Sequence, residues 1–110
     1  MSQNSDRYTY RITWSEDDGE FVGLCVEFPS LSWLAKSPEA ALKGIRRAVE
    51  KAVQDMENNG ESPPTPISGR SFSGKFVVRI PPEVHRALAV KAAEEGISLN
   101  RLVSSKLTSL

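Results

Sequence analysis

The sequence has a single cysteine, a single histidine and no long run of apolar residues. Cys25 has no second cysteine to pair with in the chain, and it cannot by itself build a multi-cysteine zinc site. No segment approaches the roughly 18 consecutive apolar residues that a membrane-spanning helix needs. Residues 1–6 are polar and lack the basic-then-apolar order of a signal peptide. The sequence therefore predicts a cytoplasmic protein with no membrane segment.

The sequence also has few side chains of the kind that enzymes use for catalysis. No cysteine or carboxylate cluster accompanies His85 at the spacing of a metal site. Cys25 stands between apolar residues in a predicted strand, which favours a small buried hydrophobe over a nucleophile. Asp17 and Asp18 are neighbours in a predicted turn, where adjacent carboxylates diverge, and no third carboxylate completes a metal site. With no Gly-rich phosphate loop or nucleophile elbow either, we predict no enzyme, catalytic residue, metal or cofactor.

The formal net charge of zero hides an uneven distribution. Residues 1–69 carry seven Lys/Arg and eleven Asp/Glu, whereas residues 70–110 carry seven Lys/Arg and three Asp/Glu. So short a chain can reach such a split by chance, but the change in charge coincides with a change in sequence texture. The acidic half is consistent with a basic partner protein, and the basic half with a nucleic acid.

A stretch rich in proline, glycine and serine separates the two halves. Three prolines lie within residues 61–66, and glycines and serines follow. Because proline removes backbone donors and glycine and serine favour turns, regular structure is interrupted here. We predict a linker at residues 61–73, with room for one short strand near residues 70–73, between a domain at residues 1–60 and another at residues 74–110.

The first domain has the pattern of a small antiparallel sheet. Residues 8–14 alternate, so that Tyr8, Tyr10, Ile12 and Trp14 share one face. The turn at residues 16–19 ends on a glycine and leads into a second predicted strand at residues 20–28. A third strand is predicted at residues 30–35.

One long helix is predicted to cover this sheet. Ser37 can cap its first turn, Pro38 suits the first helical position, and Asn59-Gly60 ends it. The apolar stripe has helical period: Leu42, Ile45, Val49, Ala52, Val53 and Met56. Since helix and sheet each hide the other's apolar face, the expected class is α+β.

The sequence pattern of the second domain predicts one strand followed by two short helices. The strand alternates over residues 75–81 and ends at a proline, the first helix runs from Pro82 to Gly96, and Ser98 caps the second. The apolar stripes of the helices are Val84, Leu88 and Ala92 in the first, and Leu99, Leu102, Val103, Leu107 and Leu110 in the second.

So short a unit has too little apolar area for a core of its own, and its single strand has two unpaired edges. We therefore predict a homodimer in which two strands pair antiparallel across a twofold axis. The shared core would comprise Phe76, Val78, Ile80, Leu88, Leu102 and Val103. The other face of the ribbon would enter the major groove of operator DNA with Lys75, Val77 and Arg79. The start of the second helix, at Ser98, Leu99 and Asn100, would offer backbone N–H groups to a phosphate.

The order of these features resembles the ribbon-helix-helix family of Arc- and MetJ-type repressors. The resemblance covers residues 75–109 and includes Glu83 in the first helical turn and the Gly96-Ile97-Ser98 break. Val77 is a departure, since the family often has a polar residue there, but a valine can contact a thymine methyl group. A dimerisation element that does not bind DNA is the alternative interpretation.

The first domain resembles the HicB-type antitoxin domain. The matching features are the aromatic strand at residues 8–14, the turn and strand at residues 16–21, Phe28-Pro29-Ser30-Leu31, and the helix start at residues 37–42. The loop at residues 30–32 departs from the family's usual Leu-Pro-Gly. The resemblance implies a partial RNase H-like fold and direct neutralisation of a HicA-type toxin that cleaves mRNA. It also implies repression of the antitoxin's own operon.

Three functions follow as hypotheses. The first is an antitoxin of a type II toxin–antitoxin system that binds both the toxin and the operator. Its toxin contacts are open among Glu16, Asp17, Asp18 and Glu20, and the homodimer could also associate into a tetramer. The second is a ligand-responsive repressor with Phe21 and Trp33 around a small effector, although core packing explains both residues better. The third, a small hydrolase or nuclease, is disfavoured by the missing catalytic groups.

Overall fold

The computed structural model describes residues 3–109, and the chain divides into two compact units. Unit 1 ends at Phe72 and unit 2 begins at Ser73. Unit 1 holds a three-stranded sheet and a long helix, and unit 2 holds two shorter helices. The predicted α+β class, with a small antiparallel sheet followed by helices, is confirmed.

The sheet consists of β1 (Tyr10–Ser15), β2 (Glu20–Cys25) and β3 (Ser32–Ala35), in that spatial order and antiparallel throughout. Gly19 closes the first hairpin with φ of 62°, a left-handed conformation that glycine adopts without strain. The register places Gly23 at the centre of the sheet, between Ile12 on β1 and Trp33 on β3.

The strands are shorter than predicted. β1 begins at Tyr10 rather than at residue 8, and β2 ends at Cys25 rather than at residue 28. The second strand stops because the chain turns: the Phe28 N–H donates to the Cys25 carbonyl at 3.1 Å, and the Leu31 N–H donates to the Phe28 carbonyl at 3.0 Å. These turn hydrogen bonds replace the sheet ladder that the alternation predicted.

The long helix, α1 (Pro38–Asn58), begins and ends where the sequence predicts. The Ser37 side chain accepts a hydrogen bond from the Ala40 N–H at 3.2 Å, and Pro38 occupies the first turn. Asn59 is the C-cap, and Gly60 follows with φ of 75°. Local capping chemistry therefore sets both ends of α1.

The core of unit 1 lies between α1 and the sheet. Its fully buried side chains from α1 are Ile45, Val49 and Val53, which pack with Tyr8, Cys25 and Phe28. The predicted stripe is wrong at one position, since Leu42 is 38% exposed. Ala41 and Gly44 face the sheet instead, because small residues fit where the helix lies against Gly23 of β2 and Trp33 of β3.

Residues 61–72 cluster with unit 1. The short strand considered for residues 70–73 is absent, and a single 3-10 turn, Ile67–Gly69, precedes that stretch. Pro66 is buried. The Tyr8 hydroxyl donates to the Pro64 carbonyl at 2.8 Å, and the Ser68 hydroxyl donates to the Arg7 carbonyl at 2.8 Å. The proline-rich segment is therefore attached to unit 1 at several points.

Unit 2 contains α2 (Pro82–Glu95) and α3 (Leu99–Leu107). Gly96 ends α2 in the left-handed conformation with φ of 69°, and the Ser98 side chain caps α3 by accepting from the Arg101 N–H at 3.0 Å. The end of α2 and the start of α3 agree with the prediction. α3 ends at Leu107, before the last residue of the predicted apolar stripe, Leu110, which lies outside the described residues.

Candidate nucleic-acid interface

The segment before α2 is the most exposed apolar stretch of the described chain. Val77 is 91% exposed, Phe76 73%, Val78 61% and Ile80 41%. No strand forms over residues 75–80 in the single chain, in contrast to the predicted strand. The physical reason is that a strand acquires its ladder of hydrogen bonds only when a second strand lies beside it.

The two helices of unit 2 enclose very little. Ala92 and Leu102 are its buried apolar residues among those described, and Leu88, Leu99 and Val103 are half-buried. Burial of two side chains is far too little to offset the conformational entropy of ordering such a unit. Unit 2 as a single copy therefore exposes the surface from which a core would be made.

An open, largely apolar groove runs between the exposed segment and α3. Its lining includes Phe76 and Val78 from the segment, and Leu99, Val103 and Leu107 from α3. Three predicted dimer-core residues (Phe76, Val78 and Val103) thus lie on one groove, whereas Leu102 is already buried in the single chain. Ile80 and Leu88 do not line this groove.

The predicted DNA-facing residues of the segment are all exposed. Lys75 also lines the groove. In the single chain it therefore does not lie on a face opposite to Phe76 and Val78, as the prediction required. Its backbone N–H donates to the Ser73 hydroxyl at 3.1 Å. Val77 and Arg79 lie outside the groove lining. Basic residues that sequence reasoning did not single out are also exposed in unit 2: Arg86, Lys91, Arg101 and Lys106.

The start of α3 has the predicted geometry. Ser98 is extended (φ −71°, ψ 153°), and its carbonyl accepts from the Leu102 N–H at 3.0 Å. Leu99 and Asn100 occupy the first helical turn and line the groove. Backbone N–H groups in a first turn have no acceptor within their own helix. The three residues are therefore arranged as a helix start that can accept an anion.

Unit 1 carries the acidic side chains considered for a protein partner. Glu16, Asp17 and Asp18 are exposed at the tip of the β1–β2 hairpin. Glu20 differs from them because it is half-buried and pairs with Lys36 at 3.2 Å. Among the described residues, Glu20 forms a salt bridge, whereas Glu16, Asp17 and Asp18 form none.

Phe21 and Trp33, which the effector hypothesis placed around a small molecule, contact other residues of unit 1. Phe21 packs edge-on against Trp14 with ring centroids 5.1 Å apart. Trp33 lies so close to α1 that a Cβ at Gly44 would be 2.0 Å from the Trp33 Cδ1 atom. These contacts are packing contacts of unit 1.

Glu27 forms a structural contact that sequence reasoning missed. Its carboxylate accepts hydrogen bonds from the backbone N–H groups of Thr9 and Ile67, both at 2.9 Å. Burial acts to raise the pKa of Glu27, but the hydrogen bonds from Ile67 and Thr9 outweigh it and hold that pKa below the usual range. No local pattern predicts such a contact, because Glu27 and Ile67 are 40 residues apart.

His85 and Cys25 are the remaining residues of catalytic type that the sequence analysis considered. His85 is exposed on α2, and Cys25 is 2% exposed in the core of unit 1, where burial raises the pKa of its thiol. Within residues 3–109, no group of three or more His, Cys, Asp or Glu residues is arranged to hold a metal ion. No helix in that range is long and apolar enough to cross a membrane.

The comparison with family models matches mainly the part of the chain that contains unit 2. Residues 57–107 match the model of the HicB family. The match covers slightly less than half of the chain, and it supports the resemblance to HicB-type antitoxins. It runs from the end of α1 through the proline-rich segment to the end of α3, and so lies mainly outside the residues on which the sequence resemblance to HicB was based. No curated protein and no solved structure matches the chain significantly.

Proposed function

We propose that the chain is the antitoxin of a type II toxin–antitoxin system. It neutralises a HicA-type, mRNA-cleaving toxin by direct binding, and it represses its own operon through a ribbon-helix-helix dimer formed by unit 2. The observation that carries the proposal is the HicB match at residues 57–107, which includes the exposed apolar segment and both helices of unit 2.

Dimerisation of unit 2 follows from the exposure of its apolar side chains. Two copies of residues 75–80 pair as antiparallel strands, and each strand satisfies the other's backbone donors and acceptors. Phe76 and Val78 are then covered by the partner's helices and lose contact with water. Each Å² of apolar surface buried in this way contributes about 25 cal/mol.

Operator binding follows from the face of the two-stranded ribbon that points away from the dimer core. Lys75, Val77 and Arg79 occur twice on a twofold ribbon, which is narrow enough for the major groove. Phosphates on either side are held by the helix starts at Ser98 and by the basic residues of α2 and α3. The excess of basic over acidic residues in the back half supplies the long-range attraction.

The decisive experiment measures toxin binding and operator binding on the wild-type chain and on the same variants. The chain is co-expressed with the protein encoded by the adjacent small open reading frame, and co-purification and toxin neutralisation are recorded. Operator binding is measured in parallel by gel shift with the DNA upstream of the gene pair.

We expect Arg79→Ala to weaken operator binding at least tenfold, since it removes two symmetry-related contacts, and to leave toxin neutralisation unchanged. Arg86→Ala, which removes an equal charge from α2, is the matched control and should change operator binding less. Simultaneous loss of both activities in Arg79→Ala would contradict the division of labour between the two units.

A further inference from the structure

The tip of the β1–β2 hairpin combines exposed aromatic surface with unpaired acidic charge. Trp14 is 47% exposed, although the preceding residues of the same face, Tyr10 and Ile12, pack against the core. Its ring is held edge-on against Phe21, with an interplanar angle of 74°. A large aromatic side chain that is fixed in place yet left half in water is typical of a contact residue in a protein interface.

The carboxylates beside this aromatic pair are positioned by the turn. The Ser15 hydroxyl donates to Asp18 at 2.8 Å, and the Gly19 N–H donates to the Ser15 carbonyl at 2.8 Å. The salt bridges formed within the described part of the chain are Glu20–Lys36 and Asp6–Arg46. Glu16, Asp17 and Asp18 therefore present negative charge that forms no salt bridge with the Lys and Arg side chains of unit 1 among residues 3–72.

This combination of charge and aromatic surface favours one class of occupant. Nucleic acids and anionic membranes are repelled by three adjacent carboxylates. A protein surface rich in Lys and Arg is attracted by them, and it can also cover the Trp14 ring with the aliphatic parts of those side chains or with a cation–π contact.

We propose that the hairpin tip, defined as Trp14, Phe21 and the carboxylates of Glu16, Asp17 and Asp18, is the surface on which unit 1 binds a basic partner protein. The inference rests on the proposed function, in which that partner is the mRNA-cleaving toxin. The aromatic pair supplies the dehydrated centre of the interface, and the carboxylates supply its charged rim and speed the encounter.

Two variants of the full chain test the two components separately. Trp14→Ser removes the aromatic centre, and a double variant, Asp17→Asn with Asp18→Asn, removes two rim charges without changing size. Their matched controls are Val26→Ser, whose side chain is also 47% exposed, and Asp55→Asn with Glu57→Gln, which removes two exposed charges from the end of α1. Affinity is measured for the co-expressed protein of the adjacent open reading frame, at low and high salt.

We expect Trp14→Ser to weaken binding by about tenfold or more at both salt concentrations. The double variant should weaken it mainly at low salt, since salt screens exposed charges. Both controls should stay within about threefold of the wild-type chain, a difference below that of a typical interface hot spot. The circular dichroism of the full chain, which includes the sheet and α1 of unit 1, should be unchanged in all four, which shows that unit 1 remains folded.

A second readout uses the position of the tryptophans. Trp33→Phe leaves Trp14 as the sole tryptophan and keeps a ring above Gly44. When the partner binds, the fluorescence emission of Trp14 should shift to shorter wavelength, and acrylamide should quench it less. If the wild-type chain binds the partner while Trp14→Ser and the double variant bind like the controls, the inference is overturned and the proposed function stands. If the wild-type chain captures no partner, both fail.

Discussion

Two glycines determine how closely α1 lies on the sheet. A Cβ built on Gly23 would be 2.6 Å from the Ala41 carbonyl oxygen and 2.9 Å from the Ile45 Cγ2 atom. At Gly44 the nearest atoms belong to the Trp33 ring. Because the first obstacle is helix backbone and the second is a half-exposed side chain, Gly23 is the less replaceable of the two.

We expect Gly23→Ala to lower the free energy of unfolding by about 2 kcal/mol, since the new methyl group forces α1 away from β2. Gly69→Ala is the matched control, because nothing lies within 4 Å of a Cβ at that position. It should change stability by less than about 0.5 kcal/mol. Chemical denaturation followed by tryptophan fluorescence measures both, and equal effects of the two substitutions would contradict the close approach.

Glu27 is the other residue whose role depends on a distant contact. Its carboxylate joins the start of β1 to the proline-rich segment through the Thr9 and Ile67 N–H groups. The titratable neighbours of this carboxylate are Tyr8 and Cys25, and burial raises the pKa of both. Over the acid range Glu27 is therefore the group of this cluster that titrates.

The lowered pKa of Glu27 predicts a pH dependence of definite sign. A carboxyl group whose pKa is lower in the folded state stabilises that state above its unfolded pKa, and this stabilisation is lost as the pH falls through the folded value. At neutral pH, Glu27→Gln should therefore lower the free energy of unfolding by about 1 kcal/mol, the size of a partly exposed charge-assisted hydrogen bond.

Thermal unfolding of Glu27→Gln and the wild-type chain between pH 7 and pH 3 measures this effect. The difference in Tm should be largest near neutral pH and shrink towards acid. A difference that stays constant over the whole range would show that the charge of Glu27 is not what holds the segment.

Among the elements, the local sequence pattern predicts the observed structure at α1 but not at residues 75–80. Both ends of α1 follow from Ser37, Pro38, Asn59 and Gly60, each of which acts on its own neighbourhood. The strand pattern of residues 75–80 is as regular, yet the single chain forms no strand there. A helix satisfies its hydrogen bonds internally, whereas a strand depends on a neighbour.

Substitutions on the two faces of residues 75–80 should separate dimerisation from DNA binding. Phe76→Asp places a carboxylate in the shared core, so it should yield a monomer and abolish operator binding. Val77→Asp, one residue away on the other face, should leave the dimer intact and remove only operator binding, by repulsion from phosphate. Sedimentation and gel shift measure the two properties, and a dimeric Phe76→Asp chain would contradict the paired ribbon.

For the whole molecule, the two units differ in how complete their cores are. Unit 1 buries Tyr8, Cys25 and Phe28 against three side chains of α1, and residues 61–72 add to it. Unit 2 buries two apolar residues among those described. Unit 1 therefore has a core within one chain, whereas the core of unit 2 is completed, in the proposed dimer, by a second copy.

Unfolding should therefore occur in two transitions with different concentration dependence. Both tryptophans lie in unit 1, so their fluorescence reports that unit alone. We expect the fluorescence transition to be independent of protein concentration, because the core of unit 1 is built from residues of one chain. The loss of helical circular dichroism from unit 2 should move to higher temperature as concentration rises. A single coincident transition, unaffected by concentration, would contradict a dimer held by unit 2.

By itself the sequence determined the features that depend on neighbours in the chain. These are the α+β class, both ends of α1, the break at Gly96 and Ser98 between α2 and α3, and the turn at Gly19. Tertiary structure decided the contacts between distant residues: the contact between Glu27 and Ile67, the approach of α1 at Gly23, the exposure of Leu42 and the aromatic pair at the hairpin tip. Local patterns are set by backbone sterics and hydrogen bonds a few residues apart, whereas these contacts exist only once the packing of helix on sheet has fixed which side chains meet.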